Sequence, residues 1–323
     1  VLGSTGMDTT AVLLATALAS CLGTLCMAFM ANLPFALSAG MGLNAFMAYT
    51  VVAGYGYSWQ VALLAVFIEG LIFIVLSLTN IREAIFNAIP LTLKKGVSVG
   101  IGLFIAFIGL QNSGLCVDSA TLVGIISFPE NFHAAGICAL LTLIGLFFTA
   151  VFYTRKMKGA ILYGILLTWI LGMLCQVTGL YVPTPDAGFY SLFPSWGMTD
   201  FSKLGLTFGQ CFNVDFSAVG IVNFIVVIFS FLFVDIFDTL GTLIGVATKA
   251  KMLDKDGKLP GIKPALLADS IATSAGAILG TSTTTTFVES ASGVAVGGRT
   301  GLTALVTGIL FLVSTLFAPI FTA

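Results

Sequence analysis

The chain has 323 residues, 58% hydrophobic and only 8% charged, with a formal net charge of -1. Soluble domains carry about 25% charged residues, so the composition excludes one and calls for segments that cross a bilayer. A near-neutral balance leaves no footprint for nucleic acid, and six cysteines with no CxxC pair beside a single histidine argue against a metal site.

About ten segments are apolar and long enough to enter a membrane. Val1 to Asp8 reads as a loop and Ala11 to Ala31 as the first full span. Asn32-Leu33-Pro34 interrupts it, because Pro34 cannot continue a helix. The stretch PFALSAGMGLNAFMAYTVV then starts extended, breaks at Gly40 and Gly42, and resumes as a short helix at Asn44. Trp59 to Leu78 is the next span and carries Glu69; an amphipathic connector, Asn80 to Pro90, carries Arg82 and Glu83. A span from Lys94 to about Leu110, a polar loop from Gln111 to Asn131 and spans Ala134–Tyr153 and Ala160–Thr178 follow. A loop from Gly179 to Ser217, rich in Pro and aromatics, leads to a long span, Ala218 to Val246, with Asp235 and Asp238. After a charged loop, Ala265–Leu279 and Leu302–Phe317 flank GTSTTTTFVESASGVAVGG, Gly280 to Gly298.

That last stretch is a second broken element. Its β-branched run favours extended backbone, its small residues suit a short packed helix, and Glu289 sits at the break. Non-helical backbone at membrane depth is tolerated only inside protein or along a cavity, and hydroxyls of the threonine run can satisfy it. An acid there is costly, which makes Glu289 a binding candidate. Asn44 offers an amide at the matching break, with helix capping as its structural alternative. Phe46 and Phe287 have the flat faces to stack on a ring or to pack in a core. Asp235 and Asp238, three apart, share one helix face that must look into the protein or a cavity. Asp269, near Lys263, reads as structural, and Glu69 has no role assigned by its context.

Basic residues alternate by loop. Arg82, Lys94 and Lys95, then Arg155, Lys156 and Lys158, then Lys249 to Lys263 fall in every second loop. The loops between hold Lys203 alone, with Asp118, Glu130, Asp186 and Asp215. This pattern places the lysine-rich loops in the cytoplasm of a multi-pass cell-membrane protein. Two internal matches flank the broken elements: ATALASCLG (Ala15–Gly23) with ATSAGAILG (Ala272–Gly280), and GLIFIVLSL (Gly70–Leu78) with GILFLVSTL (Gly308–Leu316). By the charge pattern the repeats run in opposite directions, an inverted-repeat transporter design.

Three motifs, LSAGMGLNAF, VDIFDTLGTLIGVA and TSTTTTFVESASGVAVGGRTGLTALVTG, resemble the purine permeases of the nucleobase–cation symporter-2 group, nearest its adenine/guanine/hypoxanthine (azaguanine-resistance) branch. The resemblance implies an all-α polytopic fold of about fourteen segments, seven plus seven in inverted repeat, with two half-strand, half-helix segments. It implies a core domain in residues 1–79 and 218–318 and a gate domain in 80–217, with 319–323 opening further gate segments. It implies proton-coupled purine uptake with no cofactor but the proton. Glu289 would hydrogen-bond the base and Asp235 would be the other substrate carboxylate. Asn44, Gly42 and Asp238 fall on positions tied to function, and Phe287 would present its backbone and ring. Asp238, Asp235 and Glu289 are the proton-coupling candidates. Partners are a purine base and the bilayer; a homodimer stays open.

The chain starts at Val1 without Met and stops at Ala323 just after an apolar segment, so a piece truncated at both ends is expected. Two alternatives are an anion transporter or channel of related design, which would favour a basic site residue such as Arg299, and an intramembrane aspartyl protease. The protease needs facing carboxylates, and Asp235 and Asp238 lie on one helix.

Overall fold

A computed structural model describes residues 1–119, 122–129, 131–184, 188–215, 219–255 and 258–321. Glu130, Asp186, Ser217 and Ala218 lie outside them. The chain divides into one unit of residues 1–101 with 197–318 and another of 102–196 with 319–323.

In the first unit Asp8 starts α1 (Thr9–Cys26): its side chain accepts the Ala11 N–H at 2.9 Å, which satisfies one donor the first turn leaves open. That bond, and then Lys203 3.4 Å away, hold the Asp8 carboxyl below the usual carboxylate range. The residues expected to form a loop ahead of it make a 3-10 turn, Leu2–Thr5. The helix runs on as a π turn to Ala31 and ends at Asn32 in the left-handed conformation. Next come β1 (Leu37–Ala39) and α2 (Met41–Ala45), which widens into a π helix to Gly54. Ser58 caps α3 (Trp59–Leu78), and the amphipathic connector forms α4 (Ile81–Ala88) ahead of α5 (Leu91–Asn112), whose residues from 102 on belong to the second unit.

In the second unit, part of the expected loop is an antiparallel hairpin, β2 (Cys116–Ser119) with β3 (Leu122–Ile125). It leads to α6 (Ile137–Thr154) and α7 (Ala160–Val177). These two meet at small residues: a Cβ on Gly145 would strike Thr168, and one on Gly164 would strike Thr149, so the backbones approach closely without needing a large apolar seam. His133 is bound locally, its Nδ1 lying 3.1 Å from the Leu180 carbonyl.

The first unit resumes with α8 (Ile221–Ala250), α9 (Ile262–Leu279), β4 (Thr284–Thr286), α10 (Ser290–Ala295) and α11 (Gly301–Ser314). Among the described residues seven helices are long and apolar enough to span a membrane. The sequence reading reached ten by adding α5 and the two broken elements, whose helical parts are shorter. The fold is an all-α polytopic one, in which each broken element is a half-strand followed by a half-helix. Packing follows the inverted repeat: α3 lies on α9 as α11 lies on α1. Exchanging the halves turns one contact into the other.

Two glycines hold this arrangement. Gly280 ends α9 at φ 102, a conformation open to glycine, and turns the chain into β4. Gly70 lets α3 touch α9, since a Cβ there would come within 2.8 Å of the Ser274 nitrogen. Gly70→Leu is expected to destabilise the protein by about 1–3 kcal/mol through overpacking. Thermal melting in detergent checks this against Gly100→Leu, where nothing lies within 4 Å of the added Cβ.

Candidate functional site

The two half-strands pair antiparallel, with Leu37 opposite Thr286, Ser38 opposite Thr285 and Ala39 opposite Thr284. A two-stranded piece has two open edges, and in a membrane each edge group needs a partner inside the protein. The sequence supplies them as hydroxyls. Thr24 Oγ1 accepts the Leu37 N–H at 2.9 Å and donates to its carbonyl at 3.2 Å, and Thr273 donates to the Thr284 carbonyl at 3.0 Å. Ser290 Oγ accepts the Ala36 N–H at 2.9 Å, and Asp269 accepts the Thr286 N–H at 3.1 Å. The backbone support thus comes from Thr24, Thr273, Ser290 and Asp269 on neighbouring elements, while the threonine run's own hydroxyls go mainly to side chains, Thr283 to Glu69 and Thr285 to Asp269.

Behind the strands lies an ion cluster that the sequence did not predict. Arg82 was counted as a loop cation, but only 3% of it is exposed. Its Nη2 bonds Asp269 Oδ2 at 2.7 Å and Asp235 Oδ2 at 3.1 Å. Nη1 bonds the Leu266 carbonyl at 2.9 Å and Ser270 Oγ at 2.8 Å, and the guanidinium lies 3.9 Å from the centroid of the Phe73 ring. Asp269, which the sequence marks as structural, is fully buried and also accepts from Thr285 Oγ1 at 3.2 Å. Asp235 is fully buried too, with Thr239 donating to its Oδ1 at 3.1 Å. Both Asp235 oxygens are thus engaged, by Arg82 and Thr239, and none of its surface is exposed.

The remaining candidates lie on or beside the two broken elements, with Asp238 of α8 within electrostatic range of both Asp269 and Glu289. Glu289 is exposed at the start of α10, and its carboxylate has no hydrogen-bond partner among the described residues except its own backbone. Asp238 is half-buried, within electrostatic range of Glu289, and its Oδ2 would lie 3.1 Å from a Cβ on Gly40. Asn44 Oδ1 accepts the Ser282 hydroxyl, and its Nδ2 lies 3.5 Å from the Ala39 carbonyl. Asn44 thus bridges the two broken elements instead of capping α2, whose N-cap is Gly40. The first-turn N–H groups of Met41, Gly42 and Leu43 have no backbone partner among the described residues. The Phe287 N–H goes to the Ala36 carbonyl at 2.8 Å and its carbonyl accepts the Ser290 N–H at 3.1 Å, which leaves its half-buried ring. Phe46 packs edge-on against Phe231, 4.9 Å between centroids, so it serves the core.

Free carboxylates beside unpaired N–H groups form a surface that both accepts and donates hydrogen bonds, which a small planar polar molecule can match. The residue that sequence reasoning misses is Arg82; Asp269 reads as structural from the sequence, in keeping with its bonds to Arg82 and the Thr286 N–H, and Glu69 has no assigned role. The signal available was a charge inside an apolar span, present for Asp269 and Glu69 and absent for Arg82 on its polar connector.

A family model described as "Permease family" (Xan_ur_permease) matches residues 1–323. The chain is 46% identical over 321 residues to a putative permease of Methanocaldococcus jannaschii, covering 99% of this chain and 69% of that protein. It is 48% identical over 315 residues to the guanine/hypoxanthine permease PbuG of Bacillus subtilis, covering 97% and 67%. It is 39% identical over 323 residues to the adenine permease AdeQ of Escherichia coli, covering 99% and 67%. Among solved structures, the transmembrane domain of the cyanobacterial bicarbonate transporter BicA aligns with a TM-score of 0.58 at 16% identity, over 98% of this chain and 78% of that one. At that identity the likeness concerns the fold, which is of the inverted-repeat transporter type.

Proposed function

The chain belongs to the permease family, and from that premise we propose that it takes up purine bases, adenine, guanine or hypoxanthine, together with a proton. It is a multi-pass protein of the cell membrane and not an enzyme. The observation that carries the reading is an unpartnered Glu289 at the break of one broken element, within electrostatic range of Asp238, in a chain whose relatives are named for guanine, hypoxanthine and adenine. Carboxylate oxygens of Glu289 accept from ring and exocyclic N–H groups of a purine, and backbone donors at the α2 start reach its ring nitrogens. The Phe287 ring lies on the same element and offers a stacking face.

The coupling ion is a proton and no cofactor enters. The unit of residues 1–101 and 197–318 holds the base, and it includes the start of the expected gate segment 80–217, since Arg82 is bonded to Asp235 and Asp269. Coupling requires that protonation and base binding each favour the other, an effect of about 1–3 kcal/mol in typical linked systems. Cells producing the protein are expected to accumulate labelled hypoxanthine, faster at lower external pH, with unlabelled guanine or adenine competing. Uptake that bicarbonate or sulfate blocks and purines do not would overturn the reading.

A further inference from the structure

Glu69 lies in the middle of α3 and is fully buried. The close approach at Gly70 brings α3 against α9, and the Glu69 carboxylate reaches the turn ahead of β4. There Thr283 Oγ1 donates to Oε2 at 2.8 Å. The other oxygen, Oε1, is buried with no hydrogen-bond partner among the described residues. The charged groups that act on it are Asp235 from α8, Asp269 from α9 and Arg82 from α4. The 46–54 and 210–212 turns that also pack on α3 carry no acid or base beyond Tyr49 and Cys211.

Arg82 is the single cation of this group, and its terminal nitrogens are already bonded to Asp235, Asp269, Ser270 and the Leu266 carbonyl. A third ionised carboxylate at full burial has no counter-charge left, so burial there favours uptake of a proton. Its surroundings also connect it to the ligand candidates. Thr283, which donates to Glu69, accepts the Gly40 N–H on its carbonyl at 3.4 Å, and its neighbour Ser282 donates to Asn44. Consecutive residues of one turn thus hold Glu69 on one side and the ligand position on the other.

We propose that Glu69 carries the coupling proton and that the Ser282–Thr283 turn conveys its charge state to Asn44 and Gly40. The proposal rests on the proton-coupled purine reading above. One proton from the outer solution adds to the carboxylate as the base binds, forming the carboxylic acid. The same O–H bond breaks when the proton leaves to the inner solution, and no other atom is exchanged. Ionised, Glu69 holds the Thr283 hydroxyl by a charge-assisted bond. Protonated, it holds that hydroxyl less tightly, so the turn is free to settle on Asn44.

The test uses the protein in proteoliposomes. Glu69→Gln keeps the shape and removes the proton site. Hypoxanthine accumulation driven by a pH gradient is expected to fall about tenfold, and residual uptake loses its dependence on pH. Purine-for-purine counterflow, which needs no net proton movement, falls much less. Wild-type accumulation with a wild-type pH profile in this variant overturns the proposal. Should the variant not fold, the unaltered protein is treated with dicyclohexylcarbodiimide, which modifies protonated carboxyls in apolar surroundings. An adduct on Glu69 that increases at lower pH is expected; its absence from Glu69 overturns the proposal. If the unaltered protein neither accumulates nor exchanges any purine, the purine reading fails by itself, because the carbodiimide result does not depend on the substrate.

Discussion

Arg82→Met is expected to destabilise the protein by about 3–5 kcal/mol, the effect of removing one partner from a buried ion pair. The magnitude follows from what stays behind. Asp235 and Asp269 are both fully buried, and Arg82 supplies the only cation to either among the described residues. Methionine keeps much of the side-chain volume against Phe73 but leaves two carboxylates without their counter-charge. Thermal melting of the purified protein in detergent checks this. Arg82→Lys serves as a graded control: it retains the charge, but a single ammonium cannot reproduce a fork that bonds Asp235, Asp269, Ser270 and the Leu266 carbonyl together. Adding Asp235→Asn and Asp269→Asn to Arg82→Met is expected to recover part of the loss, since it removes the stranded charges. A melting temperature for Arg82→Met equal to that of the unaltered protein would show that the cluster is not closed as described.

Glu289→Ala is expected to weaken purine binding by about 10–150-fold, the equivalent of losing a hydrogen bond to a charged group worth about 1.5–3 kcal/mol. Its stability should move by less than about 0.5 kcal/mol, because the carboxylate is exposed and bonds nothing beyond its own backbone among the described residues. Equilibrium binding of hypoxanthine to the purified variant, beside its melting temperature, separates the two. Asp235→Asn should show the opposite balance, a lower melting temperature before any specific loss of affinity. Unchanged affinity in Glu289→Ala would refute the role given to it.

These two residues show how unevenly a sequence reports its structure. Glu289 announced itself: an acid between a β-branched run and a small-residue run, inside an apolar region, leaves few explanations besides a site. Arg82 gave no such signal. It sits on a short connector next to Glu83, ahead of Lys94 and Lys95, and reads as one more loop cation. Only the crossing of α4 over α9 and α8 shows that its side chain turns inward, to partners 153 and 187 residues away. Asp269 was visible as an acid in a span, yet its bond to the Thr286 N–H depends on β4 lying beside α9. The resemblance has Phe287 presenting its backbone and ring, and only the tertiary structure shows that its N–H is bonded to the Ala36 carbonyl just ahead of β1.

The sequence by itself determined the bilayer environment, the position of the spans, the two broken elements and their inverted relation, because apolar length and local backbone preference are properties of neighbouring residues. Tertiary structure alone decided which acids are paired and which are open. Asp235 and Asp238 are three residues apart on one helix, yet one is sealed against Arg82 and the other faces Gly40. The reason is that a charge in a membrane is governed by the partner that meets it in space, and that partner comes from a distant part of the chain.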